Sequence, residues 1–355
     1  MEVYIKKWFY LFLFSLIILP LSSCPSPYDE LAKMSSKEMI EYLTKNTKNA
    51  RVTVGIVNNG EMSYTVYGEN GKILPKTEYV YDIGSISKAI TGHLFAYAIN
   101  ENKLTLDKLN DPINHYLNLP SKDYYPTIRR LLTHTSGYAY QYVYFLPPIT
   151  APYENPFYGV TEKMLLYHIG TINLENRDYQ WNYSNSGFST AGLVLESIFN
   201  EGYSSLVKRY FQSLRLNNTR VGNGTGNLTY HWRWNSGNPY IVAGGIVSTV
   251  TDLMKFAKMQ MDNTLPYAEY AYRVWAKDVI TAYDNGELVG LADSMGLGWH
   301  IDSINNIIWH GGDTSTFCTY LGFDTDKNIA VVVLSNVRPR IHALSIGAQI
   351  FKELQ

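Results

Sequence analysis

Ser85 and Lys88 stand three residues apart in the run Tyr81-Asp82-Ile83-Gly84-Ser85-Ile86-Ser87-Lys88. Three positions is nearly one helical turn, so on a helix the two side chains share a face and can touch, while Ser87 points elsewhere. A serine hydroxyl is a weak nucleophile until a base takes its proton. A lysine in an apolar pocket, its ammonium disfavoured by desolvation, can be that base or relay the proton, and Ser–Lys is a variant of the triad logic. Spacing alone says little, because Ser205 and Lys208 repeat it. That second pair lies in an amphipathic run with neither glycine nor strand before it, the pattern of an ordinary helix face. Ser85 differs because a β-type run over residues 78–84 delivers it to a helix N-terminus. Backbone N–H groups and the helix dipole can stabilise an oxyanion there.

Two further stretches carry chemistry. Tyr183-Ser184-Asn185 supplies a phenol that can shuttle protons beside a cationic lysine, and an amide that can hydrogen-bond a substrate amide. Taken alone it also reads as a tyrosine in a turn. His310-Gly311-Gly312 ends a β-type run, and glycines there would let a substrate lie against the strand edge. His310 is expected at the rim of that edge, contacting a carboxylate or changing charge near neutral pH. Taken alone it is equally a satisfied histidine at a strand end.

These residues need a scaffold. Residues 29–45 have helical spacing of Leu31, Met34, Met39, Ile40 and Leu43. Asn58-Asn59-Gly60 between two alternating runs signals a hairpin. The helix that begins at Ser85 runs towards Asn100. Between about 103 and 235 short helical segments alternate with Pro- and Tyr-rich loops, residues 189–200 and 202–214 being the clearer helices. Residues 247–261 read as another, capped by Ser248 or Thr249, with Asp252 in its first turn. Strand-like runs return after residue 295, and residues 342–354 form a last helix. The pattern predicts an α+β fold, an α/β sandwich: one antiparallel sheet from N- and C-terminal strands, flanked by helices, with a mostly helical domain inserted.

The N-terminus reads as a secretory signal over residues 1–23. Lys6 and Lys7 precede an apolar run too short for a spanning helix. Leu21-Ser22-Ser23-Cys24 resembles the lipobox of bacterial lipoproteins, which implies acylation of Cys24 and a lipid anchor to the cell envelope. A plain cleaved signal is the alternative. Residues 24–48 would then be tether and first helix, stiffened by Pro25 and Pro27, and 49–355 the catalytic domain. With Cys24 modified, Cys318 has no disulfide partner. With 355 residues, 46% hydrophobic and 17% charged, the chain can bury a sizeable core. Its 30 basic and 31 acidic residues leave a net charge of -1 and no basic stripe, so nucleic acid is excluded as a partner class. The histidines at 93, 115, 134, 168, 231, 300, 310 and 342 form no HExxH and no close ligand pair, so no metal and no other cofactor is expected. Gly187-Phe188-Ser189-Thr190-Ala191 is only a near miss to the G-x-S-x-G nucleophile elbow.

Ser–Lys on a helix, Tyr-x-Asn in the helical insert and a Gly-rich strand near the C-terminus, in that order, resemble the penicillin-recognising serine hydrolases. These comprise class C β-lactamases, low-molecular-weight DD-peptidases and related esterases. The middle motif begins with Tyr, which suits class C better than class A. Residues 131–138 (LLTHTSGY), 243–257 (AGGIVSTVTDLMKFA) and 296–299 (GLGW) also look like that family's segments, so the resemblance runs from about residue 48 to the end. It implies Ser85 as the acylated serine, Lys88 as its proton partner, Tyr183 as general base or acid and Asn185 as a substrate-amide contact. The N–H groups of Ser85 and Asp313 would form the oxyanion hole. The implied partners are a small-molecule or peptide substrate (cell-wall peptide, ester or β-lactam) and a membrane, through the lipid anchor. Many β-lactamases place Lys-Thr-Gly where this chain has His310-Gly311-Gly312. Histidine's unperturbed pKa is about 6.5, so a β-lactam carboxylate is bound less firmly, and peptidase or esterase chemistry is expected instead. In the family the segment after LLTHTSG borders the cleft, so Tyr138, Tyr140, Tyr142 and Tyr144 would either contact substrate or pack their own loop. The rival reading is a non-catalytic lipoprotein that keeps the fold to bind cell-wall peptide or a protein partner.

Overall fold

The computed structural model describes residues 33–141, 154–277, 292–338 and 343–355. The signal segment, Cys24 with its prolines, Leu31, Tyr142, Tyr144 and the proline-rich run after them, and His342 lie outside these residues.

The first helix, α1 (Ser36–Thr44), begins later than its apolar spacing predicts. The Ser35 side chain accepts from Glu38 N–H and the Glu38 carboxylate accepts from Ser35 N–H, a capping box that sets the start and leaves Met34 outside. β1 (Val52–Asn58) and β2 (Glu61–Tyr67) form the expected hairpin. Its two loop residues have positive φ, Asn59 at 49° and Gly60 at 82°, as a tight hairpin turn demands. β3 (Ile73–Leu74) and β4 (Tyr81–Asp82) follow, then α2 (Ile86–Asn100), α3 (Ile128–Leu132), α4 (Glu162–Thr171), α5 (Asn185–Phe199) and α6 (Tyr203–Ser213). β5 (Arg220–Val221), α7 (Ile241–Gly244), β6 (Ile246–Ser248), α8 (Val250–Met261) and α9 (Glu269–Tyr272) lead back towards the sheet. The chain closes with β7 (Ala276–Lys277), β8 (Ser294–Met295), β9 (His300–Asp302), β10 (Ile307–Asp313), β11 (Cys318–Asp324), β12 (Ile329–Ser335) and α10 (Ala343–Leu354). Thr249 caps α8, accepting from Asp252 N–H.

The main sheet is antiparallel in the order β3-β2-β1-β12-β11-β10-β9-β8-β7, so the N-terminal β1 pairs directly with the C-terminal β12, as the sequence pattern predicts. Both faces are covered. Val331 and Val333 of β12 face one way, onto Ile40, Leu43, Ile350 and Phe351 of α1 and α10. Ala330, Val332 and Leu334 face the other, onto a larger core shared with α2, α5 and α8. This alternation is the period of two of a strand buried on both sides. The helical region α3–α6 is closed off by a second, small sheet in which β6 pairs with both β4 and β5. α2 is buried around nearly its whole circumference, polar Ser87, Lys88, Thr91 and His93 included, and passes through the middle of the molecule. A Cβ on Gly92 of α2 would lie 1.6 Å from the Leu297 carbonyl oxygen, so only glycine allows that approach.

Candidate active site

Ser85 sits at the N-cap of α2, partly accessible, and Lys88 one turn on is fully buried. The Lys88 Nζ lies 3.1 Å from Ser85 Oγ and donates to the Ala243 carbonyl of α7 at 2.6 Å. It also lies 4.8 Å from the centre of the Tyr183 ring and 6.0 Å from that of Phe188. Burial pushes the Lys88 ammonium well below the ordinary lysine range. The carbonyl and the ring faces offset only part of that loss of hydration. The result is an amine next to a hydroxyl, able to take its proton. Ser87, by contrast, is buried and accepts from Ile246 N–H, a structural role. Ser205 and Lys208 are both exposed, and Ser189 is buried inside α5.

Two contacts fix the segment that carries Ser85. Asp82 accepts from His231 Nδ1 at 2.7 Å and from Trp232 N–H at 2.8 Å, tying β4 to the 230–234 loop. Ile83 then meets β10 and β11: its carbonyl accepts from Thr319 Oγ1 at 2.9 Å. A Cβ on Gly312 would lie 2.0 Å from that same carbonyl oxygen, and a Cβ on Gly84 2.6 Å from Asp313 N. The backbone before Ser85 is therefore pressed against the end of β10, which brings Ser85 and Asp313 together.

This packing corrects two expectations. The missing side chain of Gly312 makes room for Ile83 rather than for a substrate, and a Cβ on Gly311 would point towards Leu344 of α10. Among the described residues, β9 pairs with β10 only at Ile307–Trp309. His310 is the second correction. It is 2% exposed, not at a rim, and its Nδ1 donates to the Gly311 carbonyl at 2.5 Å. Burial, with His300 and Lys88 close by, holds it well below the usual histidine range, so it stays neutral at pH 7 and does not switch there. Asp313 has its side chain 42% exposed and 4.0 Å from Arg338.

Tyr183 stands just before α5, and Asn185 is that helix's first residue, 6% exposed, its N–H bonded to the Tyr140 carbonyl at 2.8 Å. Ser184 caps the helix by accepting from Gly187 N–H at 2.8 Å. Tyr140 is 54% exposed with its ring 5.9 Å from that of Tyr183, whereas Tyr138 is buried in the core. Tyr138 and Tyr140 thus divide between packing and the mouth of the site.

Sequence reasoning missed two histidines at this site. His134, within LLTHTSGY, stacks on Tyr183 with ring centres 4.5 Å apart. His300 stacks on Trp309 and lies 4.9 Å from His310, ring centre to ring centre. Burial pushes His300 down to about 3 and His134 well below its usual range. All three imidazoles stay neutral at pH 7, because burial disfavours a charge on each of them. Among the described residues no cluster of His, Cys, Asp or Glu is arranged to hold a metal ion. Adjacency of His134 to the Tyr183 segment depends on a fold contact spanning about fifty positions, which no local pattern encodes.

A family model described as Beta-lactamase matches residues 37–349. Among curated proteins, Protein flp of Staphylococcus aureus (strain N315) is 21% identical over 79% of this chain and 58% of its own length. The probable fimbrial assembly protein FimD, serogroup H1, of Dichelobacter nodosus is 30% identical over 39% of this chain and 34% of its own length. The chain thus spans less than two thirds of either relative. Among solved structures, a beta-lactamase/D-alanine carboxypeptidase from Yersinia pestis, complexed with citrate, superimposes with TM-score 0.70 at 20% identity, covering 92% of this chain and 98% of that one. The octameric penicillin-binding protein homologue from Pyrococcus abyssi gives TM-score 0.66 at 20% identity, covering 86% and 73%. At such identities the likeness establishes the fold.

Proposed function

The chain belongs to the beta-lactamase family, and from that premise we propose that it is an exported, lipid-anchored serine hydrolase that cleaves an amide or ester through an acyl-Ser85 intermediate. The observation that carries this reading is the buried, desolvated Lys88 Nζ at 3.1 Å from Ser85 Oγ. Ser85 Oγ attacks the substrate carbonyl carbon while Lys88 takes its proton. The N–H groups of Ser85 and Asp313 receive the oxyanion, and Asn185 receives the acyl-side amide. The tetrahedral species collapses, the leaving alcohol or amine departs with a proton passed through Tyr183, and water then releases the acid and regenerates Ser85.

Neutral His310 shapes the substrate preference. Buried and uncharged, it offers a substrate carboxylate no positive charge, and Arg338 near Asp313 is already opposed by that acid. Esters and amides without a terminal carboxylate are therefore better substrates than β-lactams. A carboxypeptidase substrate also ends in a carboxylate, so the D-alanine carboxypeptidase in the description of the Yersinia pestis structure makes such a peptide a direct test of this preference. The test is steady-state hydrolysis of p-nitrophenyl butyrate, nitrocefin and a D-alanyl-D-alanine peptide by wild type and Ser85→Ala. Ester or peptide turnover that vanishes in Ser85→Ala supports the reading. Turnover that survives the substitution overturns it. Palmitate labelling that is lost in Cys24→Ser tests the anchor, and an unlabelled wild-type chain would refute it.

A further inference from the structure

His134 grips the segment around Tyr183 at three points. Its carbonyl accepts from Asn182 N–H at 2.9 Å, and its Nδ1 accepts from Ser184 N–H at 3.0 Å. Between those two bonds its ring stacks on Tyr183, with centres 4.5 Å apart and planes at 28°. One residue thus brackets the phenol from before, beside and after. The ring is 1% exposed and its backbone is left-handed, φ 61°, a conformation that turns both the carbonyl and the side chain towards the same partner segment. Because Nδ1 accepts, the proton sits on Nε2. The ring is then a neutral plate held in one tautomer and one orientation.

Ser184 Oγ is committed to the Ala139 carbonyl and to capping α5. Asn182 is exposed. The tilt of the Tyr183 ring over Lys88 therefore depends on what lies against its other contacts, and the closest stacked ring among those described is His134.

We propose that His134 is a positioning residue, which sets Tyr183 against Lys88 for proton transfer through the Ser184 N–H bond and the stacked ring. This rests on the reading of Tyr183 as the proton shuttle, and the test separates the two. The probe is 3-fluorotyrosine placed at position 183, read by fluorine NMR alongside kcat and KM for p-nitrophenyl butyrate. His134→Asn keeps a δ-position acceptor for Ser184 N–H and tolerates the left-handed backbone, but removes the ring. His134→Phe keeps the ring and removes the acceptor.

In both variants the fluorine resonance is expected to move. In His134→Phe kcat should fall about 10²-fold with KM changed less than about threefold, the signature of a misplaced reacting group. His134→Asn should recover about a tenth of wild-type kcat, even if its melting temperature is the lower of the two. The proposal is overturned if folded variants leave the fluorine resonance and kcat unchanged, or if activity follows melting temperature rather than the Ser184 acceptor. A resonance that moves while Tyr183→Phe keeps full activity would uphold the His134 contact and refute the shuttle it serves, which overturns the proposal as stated.

Discussion

A Cβ on Gly84 would lie 2.6 Å from Asp313 N and 2.8 Å from the Asp313 carbonyl oxygen. The two backbones touch, and Gly84 has φ 51°, so its missing side chain serves both the turn into α2 and the close approach of β10. The residue before the candidate nucleophile and the candidate oxyanion donor are thereby fixed relative to each other, over more than two hundred positions of sequence.

Gly84→Ala is therefore expected to cost about 2–3 kcal/mol of stability and to lower turnover about 10²-fold by displacing Asp313 N–H. Gly237→Ala is the control. Gly237 also has positive φ, 69°, but open space around it, so that variant should lose only about 1 kcal/mol and keep its activity. Denaturant melts and ester hydrolysis on both variants check this. Equal behaviour of the two would show that the contact with Asp313 is unimportant.

Lys88→Met should separate catalysis from stability. Turnover is expected to drop about 10³-fold, since Ser85 loses its base. The fold should become more stable near neutral pH, because a buried amine with a lowered pKa favours the unfolded, protonated chain. In the wild type the unfolded state binds the extra proton from the lowered folded value up to about 10.5. The advantage of the methionine variant should then shrink by about 1.4 kcal/mol for each pH unit towards 10.5. Urea melts between pH 7 and 10 measure it. A gap that stays constant or widens would mean that Lys88 is charged in the folded state.

Acid should destabilise the protein early. Burial pushes His93 and His300 down to about 3 and lowers His134 and His310 as well, while in the unfolded chain each titrates near 6.5. The unfolded state binds more protons below that value, so these contributions are complete above about pH 6.5 and are lost as pH falls towards 3. Each histidine contributes a slope of about 1.4 kcal/mol per pH unit. Stability from urea melts should fall by several kcal/mol between pH 7 and pH 5. A flat profile over that range would contradict the burial of neutral imidazoles.

Arg338 offers a test of substrate charge. Its guanidinium lies 4.0 Å from Asp313, with both side chains about half exposed, so solvent screens the pair and it adds little to stability. Arg338→Ala should leave the melting temperature within about 1 °C and alter KM for a neutral ester by less than about twofold. Asp313→Asn should improve KM for a carboxylate-ended substrate several-fold by removing a repelling charge. No change in the second case would mean that the substrate's charged end lies elsewhere.

Much of this architecture was legible locally. Asn59-Gly60 specified its hairpin, Thr249 its helix cap, and the β-type run before Ser85 distinguished that serine from Ser205. What was not legible depended on register and on distant contacts. His310 shares its strand face with Ile308, whose side chain enters the core behind α2, and alternation cannot say which face of β10 is covered until the sheet order is known. Gly311 and Gly312 looked like space for a ligand because their neighbours, Leu344 and Ile83, are remote in sequence. His134 stood inside a stretch singled out for its family likeness, yet its bond to Ser184 joins two turns that only the folded chain brings together.

The most direct measurement is intact-mass spectrometry of the protein after reaction with an alkyl fluorophosphonate, for wild type, Ser85→Ala and Ser87→Ala. The proposal predicts one adduct on wild type and on Ser87→Ala, mapped to Ser85 by peptide sequencing, and none on Ser85→Ala. An adduct that persists in Ser85→Ala, or no adduct on a folded wild-type protein, would contradict an acyl-Ser85 enzyme.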